Sequence, residues 1–347
     1  MGTETAVSSD SHLFRMIALV AGEPAAADIL DTLRIDGALL AGRTGPVARS
    51  VFAMALNAVL FLDLLRRAPT AAAYVADQRR LREPITFDHG ALRTVRLSSG
   101  PTGALPAGAE SFARILEPLG YHLAGVYPLA KLRMTGYGYA HREFPETLPQ
   151  FFVSELHADR FSADFQGAAA RLFGSSRDPL TERARLALES FALQGESDFA
   201  CAAAALPEIA AAFGRWHDTP QLADYRLLLA ESDEAAWIAT EGSVFNHATD
   251  RVADVSVTAN TQRALGRPIK DVVEISAAGS VRQTAFRADP VVRTFRTEGG
   301  LMEMTVPGSF YEFISRDLIE RPEGDPSLDL RFDSSNAQGI FKMTRAG

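Results

Sequence analysis

The chain has 347 residues, 47% of them hydrophobic and 22% charged, which suits two modest globular domains or one large duplicated one. A formal net charge of −8 argues against a nucleic-acid-binding surface and against an anionic membrane as partner. The single cysteine, Cys201, excludes an intramolecular disulfide and any multi-thiolate metal site, and it fits a reducing cytoplasm.

Met1 to Asp10 lacks a basic stretch ahead of an apolar core, so no secretory signal is expected. Residues 1–11 read as disordered. Residues 12–35 hold one or two helices, with Pro24 opening the second. Gly45-Pro46 starts a long helix to Arg67, with Val47, Val51, Met54, Ala58 and Leu62 at helical spacing. Its most apolar run, Val51 to Leu65, is too short to span a bilayer and is interrupted by Asn57 and Asp63. Both polar residues are expected to face solvent. Pro69-Thr70 caps a further helix to Arg82, and Pro84 ends it.

A β-rich module follows over 85–165. Its first strand, Ile85 to Val95, would place Ile85, Phe87, His89, Ala91 and Arg93 on one face. A Gly/Pro loop at 98–108, a helix at 109–119 and strands at 121–126, 134–139 and 150–156 complete it. Residues 166–240 turn Ala/Leu-rich, with helical periods at 180–193, 198–216 and 221–229. This helical insertion would shield a pocket or form a homodimer interface. A second β-rich module spans 241–347, with a His247 strand, a helix near 260–265, strands at 272–276 and 281–287, and a strand bearing Glu312. With 1–84 as an N-terminal tail and helices, the four parts lack low-complexity linkers and are expected to pack as one body.

The two modules repeat. Phe87-Asp88-His89 through Arg93 and Phe245-Asn246-His247 through Arg251 both read Phe-x-His-x-x-x-Arg, with a Val one or two residues on. A Leu-Gly pair (Leu119-Gly120, Leu265-Gly266) stands after a helix in each. An aromatic strand, around Val153 in one and Glu312 in the other, lies at nearly the same distance downstream. Two histidines and one carboxylate from separate strands have the make-up of a non-haem Fe(II) facial triad: His89, His247 and Glu312. Glu155-x-His157 is the chief rival as a ligand pair. It has no counterpart in the second copy, where Ile314-x-Arg316 stands. Arg93 and Arg251 each lie four residues past a histidine, ~13 Å along a strand, where a guanidinium suits the far carboxylate of a diacid. Taken singly, each could as well be a structural ion pair. Tyr137, Arg282, Gln283, Tyr139 and Thr284 are candidate pocket wall. His12, His122, His141 and His217 are expected to face solvent or cap turns. No His-Glu-x-x-His, Gly-x-Ser-x-Gly, Walker A or Gly-x-Gly-x-x-Gly motif occurs.

Several of these stretches resemble the 2-oxoadipate dioxygenase/decarboxylase (2-hydroxyglutarate synthase) family. They are Phe87 to Val95, Gln150 to His157, Asn246 to Val252, Arg282 to Phe286, Phe310 to Arg316 and Phe332 to Phe341. The resemblance covers roughly residues 45 to 345. It implies an α+β fold of duplicated modules related to the vicinal oxygen chelate superfamily, a half-barrel around a metal with helices added. It implies Fe(II) on His89, His247 and Glu312, and Arg93 as the catalytic residue holding a substrate carboxylate. Arg251, Arg282, Gln283 and Tyr137 would complete the substrate site. The implied reaction takes 2-oxoadipate and O2 to 2-hydroxyglutarate and CO2, in lysine breakdown. The chain departs from the family at Gly90, where a larger residue is usual and glycine would loosen the strand. It departs again at Asp250, usually Pro, which would set a negative charge near a site for a dianion. The departures and the shorter chain leave the 2-oxo acid open. The competing readings are a vicinal-oxygen-chelate isomerase or lyase with a non-redox metal, and a catalytically silent small-molecule-binding protein.

Overall fold

Capping chemistry sets the helix boundaries in the computed structural model, which describes residues 9–320 and 325–332. Helix α1 (His12–Ala21) starts where Ser11 Oγ accepts from the Phe14 amide, and α2 (Glu23–Thr32) has Pro24 in its first turn. After α3 (Gly37–Leu40) and the short strand β1 (Val47–Ala48) come α4 (Arg49–Arg67) and α5 (Pro69–Leu81). Then follow β2 (Phe87–Arg96), α6 (Glu110–Leu116), β3 (Tyr121–Leu129), β4 (Met134–His141) and β5 (Gln150–His157). The helical stretch comprises α7 (Ala163–Phe173), α8 (Glu182–Gln194), β6 (Glu196–Ser197), α9 (Phe199–Ala211), α10 (Leu222–Glu231) and α11 (Asp233–Glu241). The last described part comprises β7 (His247–Arg251), α12 (Val255–Ala264), β8 (Glu274–Ile275), β9 (Val281–Ala285), β10 (Pro290–Thr297), β11 (Gly300–Pro307), β12 (Phe310–Arg316), β13 (Leu318–Ile319) and β14 (Ser327–Leu328). Helices α7 and α11 belong to the expected helical insertion but lie outside the helical periods named for it, and the β10–β11 hairpin has no counterpart among the expected strands. The expected disorder of the first residues and most of the Phe332 to Phe341 stretch lie outside the described residues.

Eight strands form one curled half-barrel sheet in the order β3-β4-β5-β2-β7-β12-β9-β8. The order is symmetric about its centre. Strands β2 and β7 pair antiparallel in the middle, β2 runs parallel to β5, and β7 runs parallel to β12. An antiparallel strand follows on each side. The α+β class and the half-barrel are thus as the resemblance implied, and the duplication is as the repeat implied. Both Leu-Gly pairs follow the helix of their module, and Gly120 and Gly266 adopt φ of 90° and 72°, open to glycine at no steric cost. Ladder position makes Phe152, not Val153, the counterpart of Glu312: Phe152 pairs with Ala91 and Glu312 with Thr249, each two residues past its histidine. No helix among the described residues is long and apolar enough to cross a membrane.

The sheet's outer face lies against the helices. Phe61 of α4 meets Phe87 and Tyr311, and Tyr74 of α5 meets Phe313. Here two expectations fail. Asn57 is fully buried rather than solvent-facing: its Nδ2 donates to the Ala53 carbonyl and to Tyr121 Oη, which satisfies the amide nitrogen inside α4, while Oδ1 finds no hydrogen-bond partner among the described residues. Asp63 is partly exposed and pairs with Arg67. Three of the four spare histidines are also buried. His12 packs on Phe199 and His217 bonds the Ala239 carbonyl; His141 bonds the Leu119 carbonyl, and its Nδ1 accepts from the Glu143 and Phe144 amides, so it does cap a turn as one of the two expectations had it. Burial pushes the pKa of His141 and of His217 down to about 4.

Candidate metal centre

Strand β2 is buried along nearly its whole length, because helices cover one face and the half-barrel encloses the other. A bulge between Phe87 and His89 interrupts its pairing with β7. Phe87 turns to the outer face, where it meets Phe245. Gly90 also faces Phe245, three residues on, so the alternation is broken between them. The expectation that Phe87 shares a face with His89 is therefore wrong, and so is the idea that Gly90 loosens the strand. The Phe245 ring occupies the space a Cβ would need, 2.2 Å from its nearest atom.

The bulge sets Asp88 beside His89, and the Asp88 carboxylate accepts from His89 Nδ1 at 2.8 Å. That leaves His89 Nε2 aimed along the inner face. Thr249 of β7 stands opposite His89 on one side and opposite Glu312 of β12 on the other. His247, two residues before Thr249, shares its face. Glu312 Oε2 lies 3.3 Å from His89 Nε2 and 3.2 Å from His247 Nε2. One donor atom from each of the three buried residues falls within 4.8 Å of the others. Two imidazole nitrogens and a carboxylate oxygen on three adjacent strands form a set that suits a divalent transition metal. The outer-shell contacts agree with a metal role, since a ligating imidazole needs its other nitrogen held. Asp88 does this for His89. Asn246 Nδ2 lies 2.9 Å from His247 Nδ1, while Asn246 Oδ1 is buried without a hydrogen-bond partner. Turning that amide over gives Nδ1–H an acceptor.

Burial opposes charge at all three positions. The two imidazoles nevertheless hold the Glu312 carboxyl well below the usual carboxylate range. Burial lowers His247 more than Glu312 lifts it. At His89, hydrogen bonds to Asp88 and Glu312 outweigh burial and raise the pKa. Arg316 overcomes burial at Asp88 and keeps it ionised. An ionised carboxylate between two imidazoles is the charge state a cation needs.

The candidate substrate residues divide. Arg93 is fully buried on the inner face of β2, its guanidinium 4.9 Å from the Trp237 ring of α11. Burial lowers its pKa to about 10, against the nearby Glu234 and Asp233. Arg251 is also on the inner face, near Asp88 at 3.7 Å and bonded to the Glu146 carbonyl. Gln283 shares the inner face of β9 by register with Glu312, whereas its neighbour Arg282 faces outward and pairs with Asp317. Tyr137 is not at the centre either. It lies on the outer face, and its hydroxyl donates to Glu155. Glu155 itself is tied to Arg96 and the Ala109 amide, so the rival pair with His157 stands apart from the two repeat histidines. Asp250 also faces away from the centre, against Tyr74 Oη, and burial raises its pKa to about 7. Asp88, Asn246, Thr249, Arg316 and Trp237 stand at or beside the cluster without being among the sequence candidates. The first two had a signal: a polar residue immediately before each repeat histidine.

Comparison with known proteins bears on the family and the fold. The family model for 2-oxoadipate dioxygenase/decarboxylase matches residues 61–342. The chloroplastic/amyloplastic enzyme of that name from rice is 24% identical over 81% of this chain and 75% of its own, and the chloroplastic one from Arabidopsis thaliana is 22% identical over 87% and 80%. Among solved structures, a protein from Ralstonia eutropha assigned to the glyoxalase superfamily is 47% identical, with a TM-score of 0.87 over 93% of this chain and 98% of its own. The rice hydroxyglutarate synthase in complex with 2-oxoadipate has a TM-score of 0.65 at 20% identity, over 85% of this chain and 93% of its own. With most of its length under the family model and the duplicated half-barrel in common, this chain belongs to the 2-oxoadipate dioxygenase/decarboxylase family of enzymes.

Proposed function

We propose that the chain is an Fe(II)-dependent enzyme that takes a 2-oxo diacid, 2-oxoadipate first, and O2 to the 2-hydroxy acid one carbon shorter and CO2. The observation that carries this reading is the buried His89, His247 and Glu312 cluster, whose donor atoms lie within 4.8 Å. The relatives' names and the 2-oxoadipate bound to the rice and Pseudomonas putida proteins support the substrate class. Fe(II), when bound, would supply open coordination positions and the electrons that O2 activation requires. His89, His247 and Glu312 would hold it from one side, and their single carboxylate leaves net positive charge for an anionic 2-oxo acid. Asp88 and Asn246 would keep the imidazoles oriented. Arg93, backed by Trp237, would take the far carboxylate, with Gln283 and Arg251 on the same face. Arg282 and Tyr137 have no part in this version of the site.

In the balanced reaction the C1 carboxylate leaves as CO2, C2 becomes the new carboxylate, and C3 gains a hydroxyl. Turnover of 2-oxoadipate under 18O2 tests this. Label in the 2-hydroxyglutarate formed is the expected result, and unlabelled product contradicts it. The glyoxalase-superfamily relative favours a second reading, a non-redox isomerase or lyase, which predicts no O2 consumption.

A further inference from the structure

The half-barrel is crossed on its inner side by a strap, residues 325–332. Arg316 of β12 is its main fastening, donating from Nη1 to the carbonyls of Asp329 at 2.7 Å and Arg331 at 2.9 Å. On the second half of the sheet, Ser280 Oγ bonds Asp329 Oδ2 at 2.6 Å. On the first half, Gln150 Nε2 reaches the Leu330 carbonyl at 3.3 Å, and the Phe332 amide donates to Tyr127 Oη at 3.2 Å. The strap therefore joins the two rims. Its last described residue sets a ring 4.9 Å from the His89 ring and 4.6 Å from Phe152. Gly138 allows this approach, since a Cβ there would stand 3.2 Å from the Phe332 ring.

Arg316 has a second role. Its side chain is fully buried, and its Nε and Nη2 bind the Asp88 carboxylate, at 2.8 Å for Nη2. Asp88 in turn holds His89 Nδ1. One guanidinium thus bridges the strap backbone and the residue that orients a candidate ligand. A planar fork of five donors can do this, and an ammonium cannot.

We propose that Arg316 is a positioning residue that couples seating of the strap to the readiness of His89 as a metal ligand, with Phe332 as the wall that the seated strap places over the imidazole. This rests on the metal reading above. Such coupling is reciprocal: metal stabilises the seated strap, and the seated strap tightens metal binding by the same factor.

The test uses the full chain with Co(II) as probe. Backbone hydrogen exchange of 325–332 is followed with and without the metal, and Co(II) affinity is read from its absorption. Co(II) is expected to slow exchange of the strap by about 5-fold or more, with little change in the α8–α9 region. In Arg316→Lys the affinity is expected to fall by roughly 10- to 100-fold, and the metal-dependent protection to disappear. An arginine with a merely structural role would lower the melting temperature and leave the affinity of the folded protein unchanged. The wild-type exchange comparison stands even if Arg316→Lys fails to fold. Co(II) binding without strap protection overturns the coupling alone. Absence of Co(II) binding to the wild type overturns the coupling and the metal reading together.

Discussion

Asp88 and Asn246 stand immediately before the two repeat histidines, and each touches the ring nitrogen that faces away from the cluster. Their chemistry differs. Asp88 is locked by Arg316, whereas Asn246 is an uncharged amide whose replacement leaves no buried charge behind. Asn246→Ala is therefore expected to keep the fold and weaken Co(II) binding by roughly 10-fold or more, read by absorption titration. A loss below about twofold would remove Asn246 from the ligand shell. The three candidate ligands were legible because the repeat marked them, and the polar neighbour of each histidine was legible in the same dipeptides. Asn57 and the buried histidines were not. Asn57 Nδ2 reaches Tyr121 and His217 reaches the Ala239 carbonyl, both far along the chain, and a polar residue whose partner lies elsewhere looks solvent-facing. Arg282 and Gln283 are adjacent on one strand, so alternation alone shows that both cannot face one pocket.

Strands and helices constrain the site in ways their residues do not reveal singly. The bulge in β2 lets Asp88 and His89 act together, and no local pattern announces it. Helix α11 packs Trp237 against Arg93 and donates from Trp237 Nε1 to the Gly308 carbonyl at 2.8 Å. This gives the helical stretch a role that its composition could not show: part of it backs the inner face. Trp237→Leu removes the aromatic face under the guanidinium, an interaction of about 1–2 kcal/mol in a desolvated setting. The KM for 2-oxoadipate is expected to rise by roughly 5- to 30-fold with kcat changed less. An unchanged KM would argue that α11 only fills space. The β10–β11 hairpin escaped notice for a plainer reason. It is an addition to the second copy with no counterpart in the first, so the repeat that organised the rest offered no template for it.

Across the whole molecule, net acidity coexists with an inner face carrying Arg93, Arg251 and Arg316, so the global charge does not describe the site. Buried titratable groups give the fold two opposed pH terms. His141 and His217, lowered to about 4, add stability above pH 6.5 that is lost as pH falls toward 4. Asp250, raised to about 7 by burial against its bonds to Tyr74 and the Thr86 amide, adds stability at low pH that is lost as pH rises through 7. The melting temperature of Asp250→Asn minus that of the wild type is expected to grow more positive between pH 5 and 8, with a term on the order of 1–3 kcal/mol at the upper end. A flat difference would place the ionised Asp250 in a better-solvated setting. Such pairings across the sheet were beyond the sequence, whereas the duplication was within it, because an internal repeat reports architecture even when each motif is weak, and the fold class followed from the family resemblance. The proposed activity requires His89, His247 and Glu312 to hold a metal that serves an oxygen-consuming reaction. The most direct measurement is O2 uptake by the Fe(II)-loaded protein with 2-oxoadipate, compared with Glu312→Ala. The account predicts uptake matched one-to-one by CO2 release and abolished in the variant. Uptake that survives in a folded Glu312→Ala protein, or none in an iron-loaded wild type, would contradict it.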